Sequence, residues 1–202
     1  NMNCLKTLLF LLFLPCTLAT ASDLGDLQAK LAGLKAFYAN FTQTLSTQKQ
    51  GSGISSQGYI ALKKPHSLMM YTREPDEQVL FTRDDAVYLY DPFVNQVTIF
   101  SLQKLRSSPF FLLTSNESKL WDQYEVKRTG EDSFSLTPKK PGEIAGLSLT
   151  FEGSTLQRIS ITMKDGALNS YTLSDQKNQA DDELFKYEIP SDAEVDDGRR
   201  AD

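Results

Sequence analysis

The chain has 202 residues, 40% of them hydrophobic, with 21 basic and 26 acidic side chains and a formal net charge of −5. A net negative balance argues against nucleic acid as a partner and against general adhesion to anionic membranes. Both cysteines, Cys4 and Cys16, precede residue 22, so the rest of the chain can hold neither a disulfide nor a cysteine nucleophile.

Residues 1–21 read as a cleaved signal peptide. Lys6 supplies the positive start, residues 8–14 an apolar run, and Ala19-Thr20-Ala21 a small-residue cleavage site. The run is too short for a membrane anchor, which needs roughly 20 apolar residues. Pro15 stands directly before Cys16, where lipoprotein processing wants a small residue, so the exported chain is expected to be unlipidated and free to diffuse in the periplasm. Residues 22–202 remain as one domain of net charge −6, long enough to bury a substantial core.

Leu24, Leu27, Leu31 and Leu34 recur at steps of three and four and predict one amphipathic helix, capped by Ser22 or Asp23 and weakened at its end by Gly33. The period then becomes two. Phe37, Ala39, Phe41 and Leu45 alternate with polar or smaller neighbours, and a turn is expected around Gly51-Ser52-Gly53. Strand-like runs follow at 59–63, 67–71, 79–82, 86–90 and 96–100, with turn chemistry at Arg83-Asp84-Asp85 and Asp91-Pro92.

Alternation fails over 101–120, which predicts short helices, with Ser107-Ser108-Pro109 as a helix start. Strands resume at 123–128, 133–137, 147–151, 156–163 and 167–173, the last two joined through the Asp165-Gly166 hairpin signal. A short helical piece at 181–185 precedes an extended 185–189, and the tail beyond Pro190 is expected to fray. Ten or eleven strands in one antiparallel sheet tend to curl. The expected architecture is mainly β, a curled or incomplete barrel of about eleven strands whose buried face is covered by the helices.

Little in the chain suggests catalysis. His66 is the single histidine, no nucleophile, zinc, calcium or nucleotide motif is present, and no metal or cofactor is expected. Asn116-Glu117-Ser118 matches a glycosylation sequon by chance in a bacterial-style export product. Apolar supply stands out instead. Leu68, Met69 and Met70 run together, as do residues 110–113. A full core explains them most simply. A cavity for an acyl chain is the alternative, and methionine, with its flexible thioether, suits varied guests.

Several ordered blocks carry a family likeness: residues 37–43 (FYANFTQ), Lys63-Lys64-Pro65, Glu74-Pro75-Asp76-Glu77, residues 90–96 (YDPFVNQ), Ser108-Pro109-Phe110, Leu136-Thr137-Pro138 and Val195-Asp196-Asp197. With these the chain resembles the outer-membrane lipoprotein carrier proteins of the LolA type over essentially all of 22–202. The resemblance implies an unclosed antiparallel barrel with a helical lid over an apolar cavity. It also implies a non-enzymatic, monomeric periplasmic chaperone. Such a protein takes triacylated lipoproteins from an inner-membrane lipoprotein-releasing ABC transporter and passes them to the outer-membrane receptor LolB. On this resemblance the cargo contacts are Phe37, Phe41, Leu68 and Met70 from the sheet with Leu31 and Phe110 from the lid.

Lys64 falls where the family carries an arginine that latches the closed lid through backbone carbonyls. Lysine offers a point charge in place of a planar fork of donors, so a looser latch is expected. Without the resemblance, Lys63-Lys64 reads as a solvated strand end. A half-barrel that binds lipid or lipoprotein without moving it, as a receptor or envelope-stress sensor, is the competing function.

Overall fold

The computed structural model describes residues 22–47, 49, 51–106, 108–115 and 117–201. The expected signal peptide and Asn116 of the sequon lie outside the described residues. Helix α1 spans Asp23–Ala32. The Ser22 hydroxyl accepts a hydrogen bond from the Gly25 N–H at 3.0 Å, while Asp23 and Asp26 in the first turn and Lys30 in the last suit the helix dipole. Leu27 and Leu31 are buried, as is Leu34 just past its end.

The strands are β1 (Ala36–Thr47), β2 (Gly51–Lys63), β3 (Ser67–Glu74), β4 (Gln78–Arg83), β5 (Ala86–Asp91) and β6 (Gln96–Ser101), then β7 (Tyr124–Gly130), β8 (Ser133–Pro138), β9 (Ile144–Glu152), β10 (Thr155–Met163), β11 (Leu168–Lys177) and β12 (Glu194–Asp197). Between β6 and β7 lie three short helices, α2 (Leu102–Arg106), α3 (Pro109–Thr114) and α4 (Ser118–Trp121). The twelve strands of the described residues form one sheet in the order β12-β6-β5-β4-β3-β2-β1-β11-β10-β9-β8-β7. β7 and β12 stand at opposite ends of that order, so the sheet is unclosed. Among the described residues every pairing is antiparallel except β12 on β6.

Two local expectations need correction. The tail does not fray: Glu194 donates its backbone N–H to the Asn95 carbonyl at 2.9 Å, and Glu194–Asp197 runs parallel to β6. Only four residues pair, three of them acidic, too few for periodicity to register. The glycines at 51 and 53 are not a turn but part of β2, where Leu45 pairs with Ile54 and Thr47 with Gly51. Backbone pairing with β1 carries this polar stretch, which has little side-chain pattern of its own.

Tight turns follow their residues. Asp84 and Asp85 have φ of 48° and 59°, both left-handed, as a two-residue hairpin that matches strand twist requires. Gly166 at φ 88° closes the β10–β11 hairpin, where Met163 and Ala167 share a 2.8 Å hydrogen bond. Gly58 is needed for a different reason. A Cβ there would sit 1.8 Å from the Tyr71 carbonyl oxygen and 2.9 Å from the Phe41 ring.

Alternation assigns the two faces of the sheet. Phe37, Ala39, Phe41, Ile60, Leu62, Leu68 and Val87 join the inward residues of β8–β11 and the four helices in one buried cluster, which defines the inner face. Their alternates Ala61, Met69, Val79, Phe81, Ala86, Tyr90, Val97 and Ile99 form a second cluster on the outer face of β2–β6. The C-terminal segment covers it with Ala180, Leu184, Phe185, Tyr187 and Ile189, partly through the short 3-10 helix Asp182–Phe185.

Candidate functional site

The site is the inner face and its helical cover. Leu31 comes from α1, Phe37 and Phe41 from β1, Leu68 and Met70 from β3, and Phe110 from α3. All but Met70 are buried members of the inner cluster, and Met70 packs against it partly exposed. Met69, between them in sequence, points into the outer cluster. The structure therefore brings the sequence-selected apolar residues together with the helices that cover them.

The helical cover folds for local reasons. Ser108 in extended conformation precedes Pro109, whose fixed φ and missing N–H suit the first turn of α3. Residues 110–113 are then apolar all round and all buried. The Trp121 indole N–H donates to the Ser115 carbonyl at 3.2 Å, and the Thr114 hydroxyl to the Phe111 carbonyl at 3.1 Å, so this short segment satisfies its buried polar groups internally. His66 stacks on Phe111 with ring centroids 6.2 Å apart, which gives the lone histidine a packing role at the rim.

Lys64 sits in the β2–β3 turn. Its backbone N–H donates to the Lys35 carbonyl at 2.9 Å, and its ammonium to the Leu31 carbonyl at 3.4 Å, the long end of hydrogen-bonding range. Partial burial, and then the neighbouring Lys35 charge, lower the Lys64 pKa from its ordinary value. Among the described residues the ammonium thus reaches α1 through a single long hydrogen bond.

Sequence reasoning missed three parts of the site. Tyr171 of β11 lies edge-on between Phe41, at 5.6 Å, and Phe110, at 5.1 Å, linking sheet to lid. Burial pushes its hydroxyl up to about 12, against an opposing hydrogen bond from Gln43. Its alternation with Leu173 is a signal that could have found it. The second part is a set of ties on α1. The Asp23 carboxylate accepts from the Arg128 backbone N–H at 3.0 Å, Asp26 from the Arg128 guanidinium at 2.8 Å, and the Lys30 ammonium donates to Asp132 at 3.1 Å and to the Gly153 carbonyl at 2.8 Å. These partners lie more than 100 residues apart, and no local pattern announces them.

The third part is open space. A cavity of about 450 Å³ is lined by Leu80, Val87, Phe100, Lys104, Leu105 and Ser108, and one of about 400 Å³ by Gln28, Ala29, Leu31, Ala32, Ser115 and Trp121. Both volumes fall within the range of ligand sites, roughly 300–1,000 Å³.

The family described as outer membrane lipoprotein carrier protein LolA matches residues 32–188. Among its relatives, the outer-membrane lipoprotein carrier protein of Pseudoalteromonas translucida is 36% identical over 205 residues, covering 97% of this chain and 98% of its own. That of Shewanella sediminis is 34% identical over 185 residues, covering 90% and 88%. Among solved structures, an uncharacterized conserved protein from Thermus thermophilus is similar in fold, with a TM-score of 0.54 and 13% identity over 85% of this chain and 99% of that one.

Proposed function

The chain belongs to the family of outer-membrane lipoprotein carrier proteins, and from that premise we propose that its inner face shelters the acyl chains of lipoproteins in transit. The family is one of carriers and chaperones, not a class of enzymes. The protein is a periplasmic lipoprotein chaperone that serves outer-membrane lipoprotein localisation. An inner-membrane lipoprotein-releasing ABC transporter would supply its triacylated cargo and the receptor LolB would accept it. Residues 1–21 would direct its export.

The supporting observation is the inner cluster itself, in which Leu31, Phe37, Phe41, Leu68 and Phe110 meet beneath a cover of short helices. Each acyl CH₂ kept from water is worth roughly 0.8 kcal/mol, so bare chains cannot cross an aqueous compartment. A guest that replaces one non-directional contact by another can enter such a core and leave it again. Lys64 reaches α1 through one long hydrogen bond, so Lys64 itself adds little to the hold on α1.

Co-expression with the exporter, capture of the tagged protein from the periplasm and intact mass spectrometry test this reading. Triacylated lipoproteins should be recovered in near-equal amount and lost in Leu68→Glu. A guest-free wild type under these conditions refutes it, and recovery of the protein only with membranes supports a fixed receptor instead.

A further inference from the structure

The two parts of the helical cover hold to the sheet by different chemistry. α1 is tied by Asp23 and Asp26 to Arg128 and by Lys30 to Asp132 and Gly153, all directional bonds involving a charged group. Their partners lie on β7 and in the β7–β8 and β9–β10 turns, in the half of the sheet that ends at β7. Lifting α1 there would break several of these bonds together. α2 and α3 turn Leu105, Phe110, Phe111, Leu112 and Leu113 into the core. Methylene groups of a guest can take the place of such contacts without leaving a polar group unpaired.

The 450 Å³ cavity lies on this second side. Leu80, Val87 and Phe100 come from β4, β5 and β6, Leu105 from α2 and Ser108 from the start of α3. Val87 and Leu105 belong to the inner cluster, and Leu80 and Phe100 pack against it, so the cavity borders the same packed cluster as Leu68 and Phe110 and opens to solvent on its other side. Its wall offers four apolar side chains to one hydroxyl, with Lys104 beside Phe100, 5.6 Å from the ring centre. The cavity beside α1 is lined in part by Gln28 and Ser115, and so suits an alkyl chain less well.

We infer that acyl chains reach the inner face through the open cavity beside α2, on the β4–β6 side, while α1 stays docked on the opposite half of the sheet. This assigns Leu80, Val87, Phe100 and Leu105 as an acyl subsite, and it rests on the carrier reading above. The test is the rate at which a synthetic triacylated lipopeptide, with a fluorophore on its peptide, loads the full chain in stopped flow. Leu80→Trp fills the cavity from β4, and Ser108→Trp fills it from the rim should crowding β4 unsettle the fold.

Each should slow loading about tenfold or more with the thermal melt retained, whereas Arg128→Ala, which removes the Asp26 tie of α1 and keeps the backbone bond to Asp23, should stay within about twofold of wild type. Wild-type loading rates in folded Leu80→Trp and Ser108→Trp overturn the inference. So does several-fold faster loading in Arg128→Ala, which would put the opening under α1. A wild type that binds no lipopeptide fails the carrier reading itself, a result distinct from either.

Discussion

Strands β2–β6 are apolar on both faces, yet the two faces are covered in contrasting ways. Among the described residues the inner face meets four helices, three of them only four to six residues long, flanked by two open cavities. The outer face meets one C-terminal segment seated on aromatic rings. Tyr187 packs on Phe81 at 5.7 Å and on Tyr90 at 5.9 Å, and Arg83, lying over the Phe81 and Tyr88 rings, donates to the Tyr187 carbonyl. Tyr38, Tyr59 and Tyr71 stack across three strands at 5.6 and 5.4 Å. A cover built from directional and ring contacts fixes one arrangement, while one built from short apolar helices can be exchanged for a guest. The outer face thus stabilises the sheet so that the inner face need not be fully committed to its own lid.

Substitutions sharpen this contrast, the largest effect coming where both covers share a strand. Gly58→Ala puts a methyl against the Tyr71 backbone, which cannot yield, and should cost more than about 3 kcal/mol in chemical denaturation or prevent folding. Phe81→Ala empties a fully buried outer position and should cost about 3–5 kcal/mol, with loading of the folded fraction unchanged. Phe110→Ala on the inner side should cost less, about 3 kcal/mol, because a helix of six residues can settle into the space, and should change lipopeptide affinity. Equal loading defects in the Phe81 and Phe110 variants would break the distinction between the faces.

Alkaline pH offers a subtler probe. The Tyr171 hydroxyl is pushed up to about 12 by burial, and Tyr71 to about 12 chiefly by its hydrogen bond to Glu77. Unfolding returns both to 10.0, so above pH 10 the unfolded chain loses these protons first and stability falls as pH rises towards 12. Tyr171→Phe should flatten part of that slope in denaturation midpoints and leave stability below pH 10 on its existing trend. Arg128→Ala should have the smallest effect, about 1 kcal/mol, since a single ion pair at the surface, even partly buried, contributes little.

Much of this was legible from periodicity. The α1 leucines, the alternation of Phe37, Ala39 and Phe41, and the failure of alternation after residue 100 mark helix, strand and lid, because local pattern reflects which side of each element is buried. Leu68 and Met70 share the inner face while Met69 turns outward, as a period of two requires. What stayed hidden depends on distant partners. β12 exists only because β6 offers an edge, and Val195 within it remains 60% exposed. The ties of Asp26 and Lys30 join residues with no local relation, and whether Leu80 or Val87 lines space or fills it depends on how α2 lands.

Hydrogen exchange of the protein, empty and loaded with a triacylated lipopeptide, tests the central claim most directly. Loading should change protection in α2–α4 and in the inner residues of β3–β5, while the C-terminal cover at 180–197 keeps its rates. Unchanged exchange in α2–α4 with altered exchange at 180–197 would contradict the account and move the guest to the outer face.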